Sequence, residues 1–174
     1  YDGELYDATK TNEPEGPVRT LDFPKDNLIE QEGEIVSEQV HVRPTAYFVT
    51  PKGERVIDFG QEMTGYVSFR VKGKAGDRVK FEILDQEGNV YTQNYRSAKA
   101  TLEYVCCDGE QYYKPTHTFY GFRRIRIDEF PGEVDLNDFE AIAVHSDMKR
   151  TGYLESSNPL LNQLFHNVIW GQRG

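Results

Sequence analysis

Aromatic and polar side chains that could contact a sugar gather in the second half of this sequence. Tyr95 and Arg96 stand together in the polar segment 90–99, and His117 and Tyr120 lie in a later cluster rich in Tyr and Phe. Sugars present apolar faces edged by hydroxyl groups, so aromatic rings beside Arg or His are suited to binding them. We take these four side chains as candidate carbohydrate-binding residues. The alternative for each ring is that it closes one end of a folded core.

Other reactive residue types occur without the spacing that catalysis or metal binding needs. His145, Ser146 and Asp147 are consecutive, whereas a catalytic triad is assembled in space from separate parts of a chain. Cys106 and Cys107 are adjacent in an expected strand, so their side chains point to opposite faces and do not suit a mutual disulfide. The cysteines and histidines do not have zinc-ligand spacing. The sequence therefore predicts no catalytic residue, no metal site and no cofactor.

The segment 85–89, DQEGN, places two acids at alternate positions, as the start of a calcium loop does. No Glu follows at the position where a calcium loop needs its bidentate ligand. Gly88 and Asn89 instead suit the positive-φ positions of a hairpin turn. We predict a turn here.

Length, charge and hydropathy exclude several classes of function. The chain has 174 residues, which suits one domain of ordinary size, and a formal net charge of −9. This charge argues against nucleic acid as a partner, because such proteins carry a basic footprint. No apolar run approaches the roughly 20 residues of a membrane helix, so no membrane partner is expected. The chain begins with Tyr1 rather than Met, as a trimmed or processed chain does, and the cell compartment is left open.

The chain is organised around residues 55–85, which have the pattern of three strands joined by turns. Val56, Ile57 and Phe59 open the first run. Apolar residues then alternate in the next two runs, so that Val67, Phe69 and Val71 share one face, and Val79, Phe81 and Ile83 do the same. The last two runs, joined by a turn at 72–77, are expected to be neighbours that share one apolar face. A second sheet, expected from 122–127, should cover that face. The pattern predicts an all-β protein, an antiparallel β-sandwich.

Further strands are predicted from shorter alternating runs, and these runs lie at 33–36, 39–42, 46–49, 100–107, 139–145 and 151–155. The pattern then changes at Ser157. Asn158 or Ser157 is suited to cap a helix that has Pro159 in its first turn. Apolar residues follow at helical spacing, namely Leu160, Leu161, Leu164, Phe165, Val168 and Ile169. We expect this C-terminal α-helix either to fold back on the sandwich or to pair between two copies of the chain.

Several short motifs follow one another along the chain: DFGQ at 58–61, GYV at 65–67, NYRSAKAT at 94–101, YGFR at 120–123, HSDM at 145–148, RTG at 150–152, SNPLLN at 157–162 and WGQRG at 170–174. In this order they resemble the motifs of bacterial α-L-rhamnosidases. The similarity runs from about residue 31 to the end, with a short opening piece at 3–8. Residues 9–30 depart from the family pattern, because a Trp-rich stretch expected there is absent.

The resemblance implies a multidomain glycoside hydrolase that removes terminal L-rhamnose from glycosides with inversion. Two carboxyl groups, one acid and one base, would flank the scissile bond. In this family they lie in a helical (α/α)6 domain that follows a jelly-roll, concanavalin-like sandwich. The implied domains are an N-terminal extension or linker at 1–30, the β-sandwich at 31–156, and the start of a truncated helical catalytic domain at 157–174.

The expected function is that of a non-catalytic scaffold for the missing catalytic domain. The alternative is a carbohydrate-binding module that contacts rhamnose-containing glycans. The expected partners are the downstream catalytic domain, glycans of that kind, and a second copy of the chain through its C-terminal helix. For the parent enzyme the resemblance implies the periplasm or secretion, whereas the residues of this chain leave the compartment open.

Overall fold

The computed structural model describes residues 2–10, 16–84 and 99–174. Within these ranges the chain forms nine strands and one α-helix. The strands are β1 (Gly3–Asp7), β2 (Val36–Val42), β3 (Ala46–Val49), β4 (Arg55–Gly73), β5 (Arg78–Leu84), β6 (Thr101–Val105), β7 (Gly109–Tyr113), β8 (Tyr120–Glu129) and β9 (Phe139–Ser146), and the helix is α1 (Pro159–Arg173).

All nine strands belong to one curled sheet whose two halves face each other across a common core. Its hydrogen-bonded order is β1-β6-β5-β8-β4-β9-β2, and β3 and β7 also pair with β4. The ring of Phe69 on β4 lies 5.9 Å from that of Phe81 on β5 and 5.5 Å from that of Tyr104 on β6. Because β5 and β6 are not ladder partners of β4, these contacts cross the core. The all-β sandwich with a C-terminal helix is confirmed, with one parallel pair, β1 and β6, in an otherwise antiparallel sheet.

The strand β4 is continuous, so the prediction of two separate strands before residue 72 is wrong. It pairs with β3 and β8 near its start and with β9 and β7 near its end. A bulge interrupts its ladder with β8. Asp58 pairs with Arg124, and the next paired position joins Met63 to Phe122, so β4 has more residues than β8 between these two pairs. Extra residues on one strand bend it and increase its twist, which lets one strand serve both halves of the sheet.

The predicted pairing of β4 with β5 is also wrong, because β8 lies between them. Residues 122–127 were expected in a second, covering sheet, but they belong to the same half as β5 and the start of β4. The turn after Gly73 crosses from one half of the sheet to the other instead of closing a hairpin. The alternation itself was correctly interpreted, since Val67, Phe69, Val79 and Phe81 are all buried.

Two terminal segments differ from the pattern-based expectation. The acidic opening of the chain forms β1, which extends the sheet beside β6. The predicted strand at 151–155 does not form. Its residues are exposed and have no ladder partner, and the ring of Tyr153 lies beneath the Arg150 guanidinium at 4.3 Å. The runs at 33–36 and 39–42 contribute to a single strand, β2.

The helix α1 begins as predicted and folds back on the sheet. The Asn158 side chain accepts a hydrogen bond from the Leu160 amide at 3.0 Å, with Pro159 in the first turn. The helix contacts β4 and β9, and Trp170 packs against the core. Leu160 and Leu164 nevertheless remain exposed. The helix therefore rests on the sheet through one side and leaves part of its apolar face uncovered.

Candidate functional site at the β4 bulge

The most strongly organised polar group lies where the bulge of β4 meets β8. Asp58 is 5% exposed, and its Oδ1 accepts hydrogen bonds from Arg123 Nε at 2.8 Å and from the Gly60 amide at 2.7 Å. Its Oδ2 accepts from Arg123 Nη2 at 3.1 Å and from Arg124 Nε at 2.7 Å. Gly60 has φ of +76°, a conformation that favours glycine. The bulge therefore places its own amide on the carboxylate that two neighbouring arginines hold.

These bonds determine the charge of Asp58. Burial alone would raise the pKa of this carboxyl group, but the hydrogen bonds from Arg123, Arg124 and the Gly60 amide outweigh it and lower the pKa. The group is therefore ionised at neutral pH and its oxygens are fully engaged. Such a carboxylate is suited to fixing the bulge rather than to donating or abstracting a proton.

The same bulge supports the helix α1. His166 Nε2 lies 3.4 Å from Gln61 Oε1, and the His166 ring lies 6.3 Å from that of Trp170, which packs on the core. The bulge thus contributes one polar contact to the helix, in addition to the packing of Trp170 on the core.

Glu62, in the same bulge, has a pKa raised by partial burial, which the nearby Arg123 guanidinium partly opposes. No second carboxylate contributes to that shift. Hydrolysis of a glycosidic bond by the usual route needs two carboxyl groups with divergent pKa values. Glu62 does not provide such a pair by itself.

An open groove of about 570 Å³ at the β1 edge of the sheet is lined by several acids, and each of three has partners of its own. Glu82 accepts from Arg126 Nη2 at 2.9 Å, and Glu103 lies 3.5 Å from Lys80 Nζ. Glu4 accepts hydrogen bonds from the Tyr113 hydroxyl and from the backbone amide of His117. These partners hold strands together. Sequence reasoning missed the Glu4 contact, whose only signal was the family-like opening piece at 3–8.

Two of the four predicted sugar-binding residues, His117 and Tyr120, lie in the described part of the chain. His117 is exposed, and its amide is held by Glu4 at 2.8 Å. Tyr120 is half-buried, lines a small apolar cavity, and has a buried hydroxyl whose pKa is raised chiefly by burial. Tyr95 and Arg96 lie outside the described residues, as does the turn predicted at 85–89. The four-residue sugar contact therefore stays a prediction.

The remaining reactive residues that the sequence analysis considered include Cys106, Cys107 and His145. Cys106 is buried and Cys107 half-buried, and both are free thiols. The ring of His145 bonds to the carbonyl of its neighbour Ser146 at 2.9 Å. Within residues 2–10, 16–84 and 99–174, no group of three or more His, Cys, Asp or Glu side chains is placed to hold a metal ion. In those same residues no helix is long and apolar enough to cross a membrane.

Comparison with known proteins identifies the family. The profile of the bacterial α-L-rhamnosidase concanavalin-like domain matches residues 48–145, more than half of the chain. The chain belongs to this family. The matched region contains the β4 bulge, both arginines that hold Asp58, and the strands from β4 through most of β9.

Relatives of this rhamnosidase-family domain are much longer proteins. An α-L-rhamnosidase from Streptomyces avermitilis is 40% identical over 136 residues, and one from Alteromonas sp. is 34% identical over 191 residues. The chain spans only 13% and 21% of these two relatives. A crystal structure of an Aspergillus terreus α-L-rhamnosidase matches 88% of this chain and 18% of its own, with 38% identity and a TM-score of 0.79. The S. avermitilis enzyme complexed with L-rhamnose matches 84% of this chain and 15% of its own, with 35% identity and a TM-score of 0.76.

Proposed function

We propose that this chain is a non-catalytic domain of an α-L-rhamnosidase and positions a catalytic domain in the same polypeptide. The observation that carries the proposal is the uncovered apolar face of α1, where Leu160 is 77% exposed and Leu164 is 58% exposed. Apolar faces of this kind pack against a partner surface. The length of the relatives, of which this chain spans about a fifth or less, supports a further domain as that partner.

The proposed division has three parts. Residues 1–30 are an extension whose opening piece adds β1 to the sheet, residues 31–156 are the sandwich, and residues 157–174 begin the helical catalytic domain. The whole enzyme would remove terminal L-rhamnose from glycosides. In this arrangement the β4 bulge fixes the first catalytic-domain helix against the sandwich.

The 174-residue chain alone is expected to release no p-nitrophenol from p-nitrophenyl α-L-rhamnopyranoside above a buffer blank. The reason is that the resemblance implies the acid–base pair in a following helical domain, and that Glu4, Asp58, Glu82 and Glu103 of this chain are engaged in structural contacts. A time course at high protein concentration measures this. Release proportional to protein concentration, and unchanged after a further purification step, would show that the chain is catalytic.

Calorimetric titration with L-rhamnose separates the scaffold from the alternative carbohydrate-binding module. A scaffold gives a flat trace up to millimolar sugar. Saturable heat that disappears in His117→Ala would favour the module, since His117 is exposed beside Phe119, which is 64% exposed. Thr116→Ala, one residue away, is the matched control.

The uncovered face of α1 is expected to make the isolated chain self-associate. Light scattering should show an apparent mass that rises with concentration, because exposed apolar surface drives association. Leu160→Ser combined with Leu164→Ser should restore a monomer. Val18→Ser combined with Leu21→Ser removes equally exposed apolar side chains outside the helix and should change nothing. If the wild type and both double variants are all monodisperse monomers, the uncovered face of α1 does not drive self-association.

A further inference from the structure

A groove of about 440 Å³ separates α1 from the β2–β9 edge of the sheet, a volume typical of small-molecule sites. Its walls include Val40, His145, Lys149, Arg150, Phe165 and Arg173. Asp and Glu are absent from its described lining, and Lys149, Arg150 and Arg173 make no ion pair with any described residue. Three cations without counter-charges are notable in a chain of net charge −9.

Arg150 is held in a fixed orientation within this groove. Its guanidinium lies 4.3 Å from the Tyr153 ring centre and 5.4 Å from that of Phe165, and its Nε donates to the Gly152 carbonyl at 3.0 Å. These contacts leave the two terminal nitrogens available. A guanidinium oriented in this way binds a carboxylate through two parallel hydrogen bonds.

His145 adds a buried hydrogen-bond acceptor to the same groove. Its Nδ1 lies 2.9 Å from the Ser146 carbonyl, and since a carbonyl only accepts, Nδ1 carries the proton. In the neutral ring Nε2 then carries the lone pair, and this atom is buried without a partner among the described residues. A buried acceptor of this kind favours a ligand that donates a hydroxyl hydrogen.

We propose that this groove binds an acidic sugar, with its carboxylate on Arg150 and Arg173 and a hydroxyl on His145. A carboxylate alone would use the cations, whereas a neutral sugar would use only the acceptor and the apolar wall of Phe165. An acidic sugar uses all three. The choice of a sugar over other hydroxy acids rests on the proposed function. The preference for a ligand that has both a carboxylate and a hydroxyl group rests on the charge and geometry of the groove alone.

Titration of the 174-residue chain with D-glucuronate, followed by NMR chemical shifts, tests the proposal, with D-glucose and acetate as matched probes. Saturable binding of glucuronate is expected. Glucose and acetate should each bind at least about tenfold more weakly, because glucose lacks the carboxylate that contacts the arginines and acetate lacks the hydroxyl group that contacts His145. Arg150→Gln should weaken glucuronate binding about tenfold, and Arg150→Lys less, because lysine keeps the charge but loses the fork. Arg173→Gln is a second variant on a different element, and Lys52→Gln is a control outside the groove.

Absence of saturable glucuronate binding would overturn the proposal. So would equal affinity for acetate or glucose, or unchanged binding in both Arg150→Gln and Arg173→Gln. Each of these outcomes leaves the scaffold function standing. Conversely, rhamnoside hydrolysis by this chain would overturn the scaffold function without affecting the groove.

Discussion

Asp58→Asn is expected to lower the free energy of unfolding at neutral pH by about 3 kcal/mol, because it leaves two arginines without their buried counter-charge. This value is at the low end for a broken buried pair, since the Arg123 side chain is 39% exposed and Arg124 22%. Asparagine keeps the size and one acceptor oxygen, so the loss reflects charge rather than volume. Urea unfolding followed by tryptophan fluorescence of Trp170 measures both the stability and the seating of α1.

Glu140→Gln is the matched control for this variant. Glu140 pairs with Arg43 at 3.3 Å and with His41 at 3.0 Å, and both partners are more than half exposed, so these pairs contribute about 0–1 kcal/mol. If both variants lose the same small amount of stability, the Asp58 pairs act like surface pairs and do not fix the bulge.

The pH dependence of the Asp58 variant follows from the direction of the pKa shift. The folded-state pKa of Asp58 lies below its ordinary value of 3.8, so its contribution is present above that value and is lost as pH falls through the folded pKa. The stability difference between wild type and Asp58→Asn should therefore narrow as the pH is lowered through that window. A difference that stays constant down to the acid limit would mean that ionisation of Asp58 does not stabilise the fold.

Local patterns predicted the strands well because alternation is a local property of the sequence. The run 46–49 and the start of α1 after Asn158 were correctly placed for this reason. The order of the strands was not predicted, because it depends on which distant strand binds each edge. β8 lies between β4 and β5 although it follows them by 36 residues or more, and alternation contains no signal of that choice.

The contacts of the polar site could not be predicted from local patterns either, because they also join residues that are far apart in the sequence. Asp58 is joined to Arg123 across 65 residues, and Glu4 to Tyr113 across 109. Each partner alone is an ordinary charged or aromatic residue of a strand. The motif DFGQ was recognised from its resemblance to a family, but its role at the bulge appears only when β8 brings two arginines beside it.

Gly65→Ala is expected to destabilise the sandwich by about 3 kcal/mol, the upper end of the range for overpacking. Gly65 is buried on β4, where that strand changes partners and pairs with both Tyr120 on β8 and Ala143 on β9. A Cβ atom there would lie 1.9 Å from the Ile142 carbonyl oxygen, which belongs to the backbone of β9. No side-chain rotation relieves such a contact, so β9 itself must move.

Gly121→Ala on β8, opposite Thr64, separates this steric effect from the general cost of glycine in a strand. A Cβ at Gly121 meets no heavy atom within 4 Å, so this variant should be neutral or slightly more stable than wild type. Chemical unfolding of the two variants under identical conditions provides the comparison. Equal stabilities would show that β4 and β9 can separate freely at this point. A loss confined to Gly65→Ala would instead show that the sheet depends on the close approach of β4 to β9 at Gly65, since an added methyl group there meets the backbone of β9.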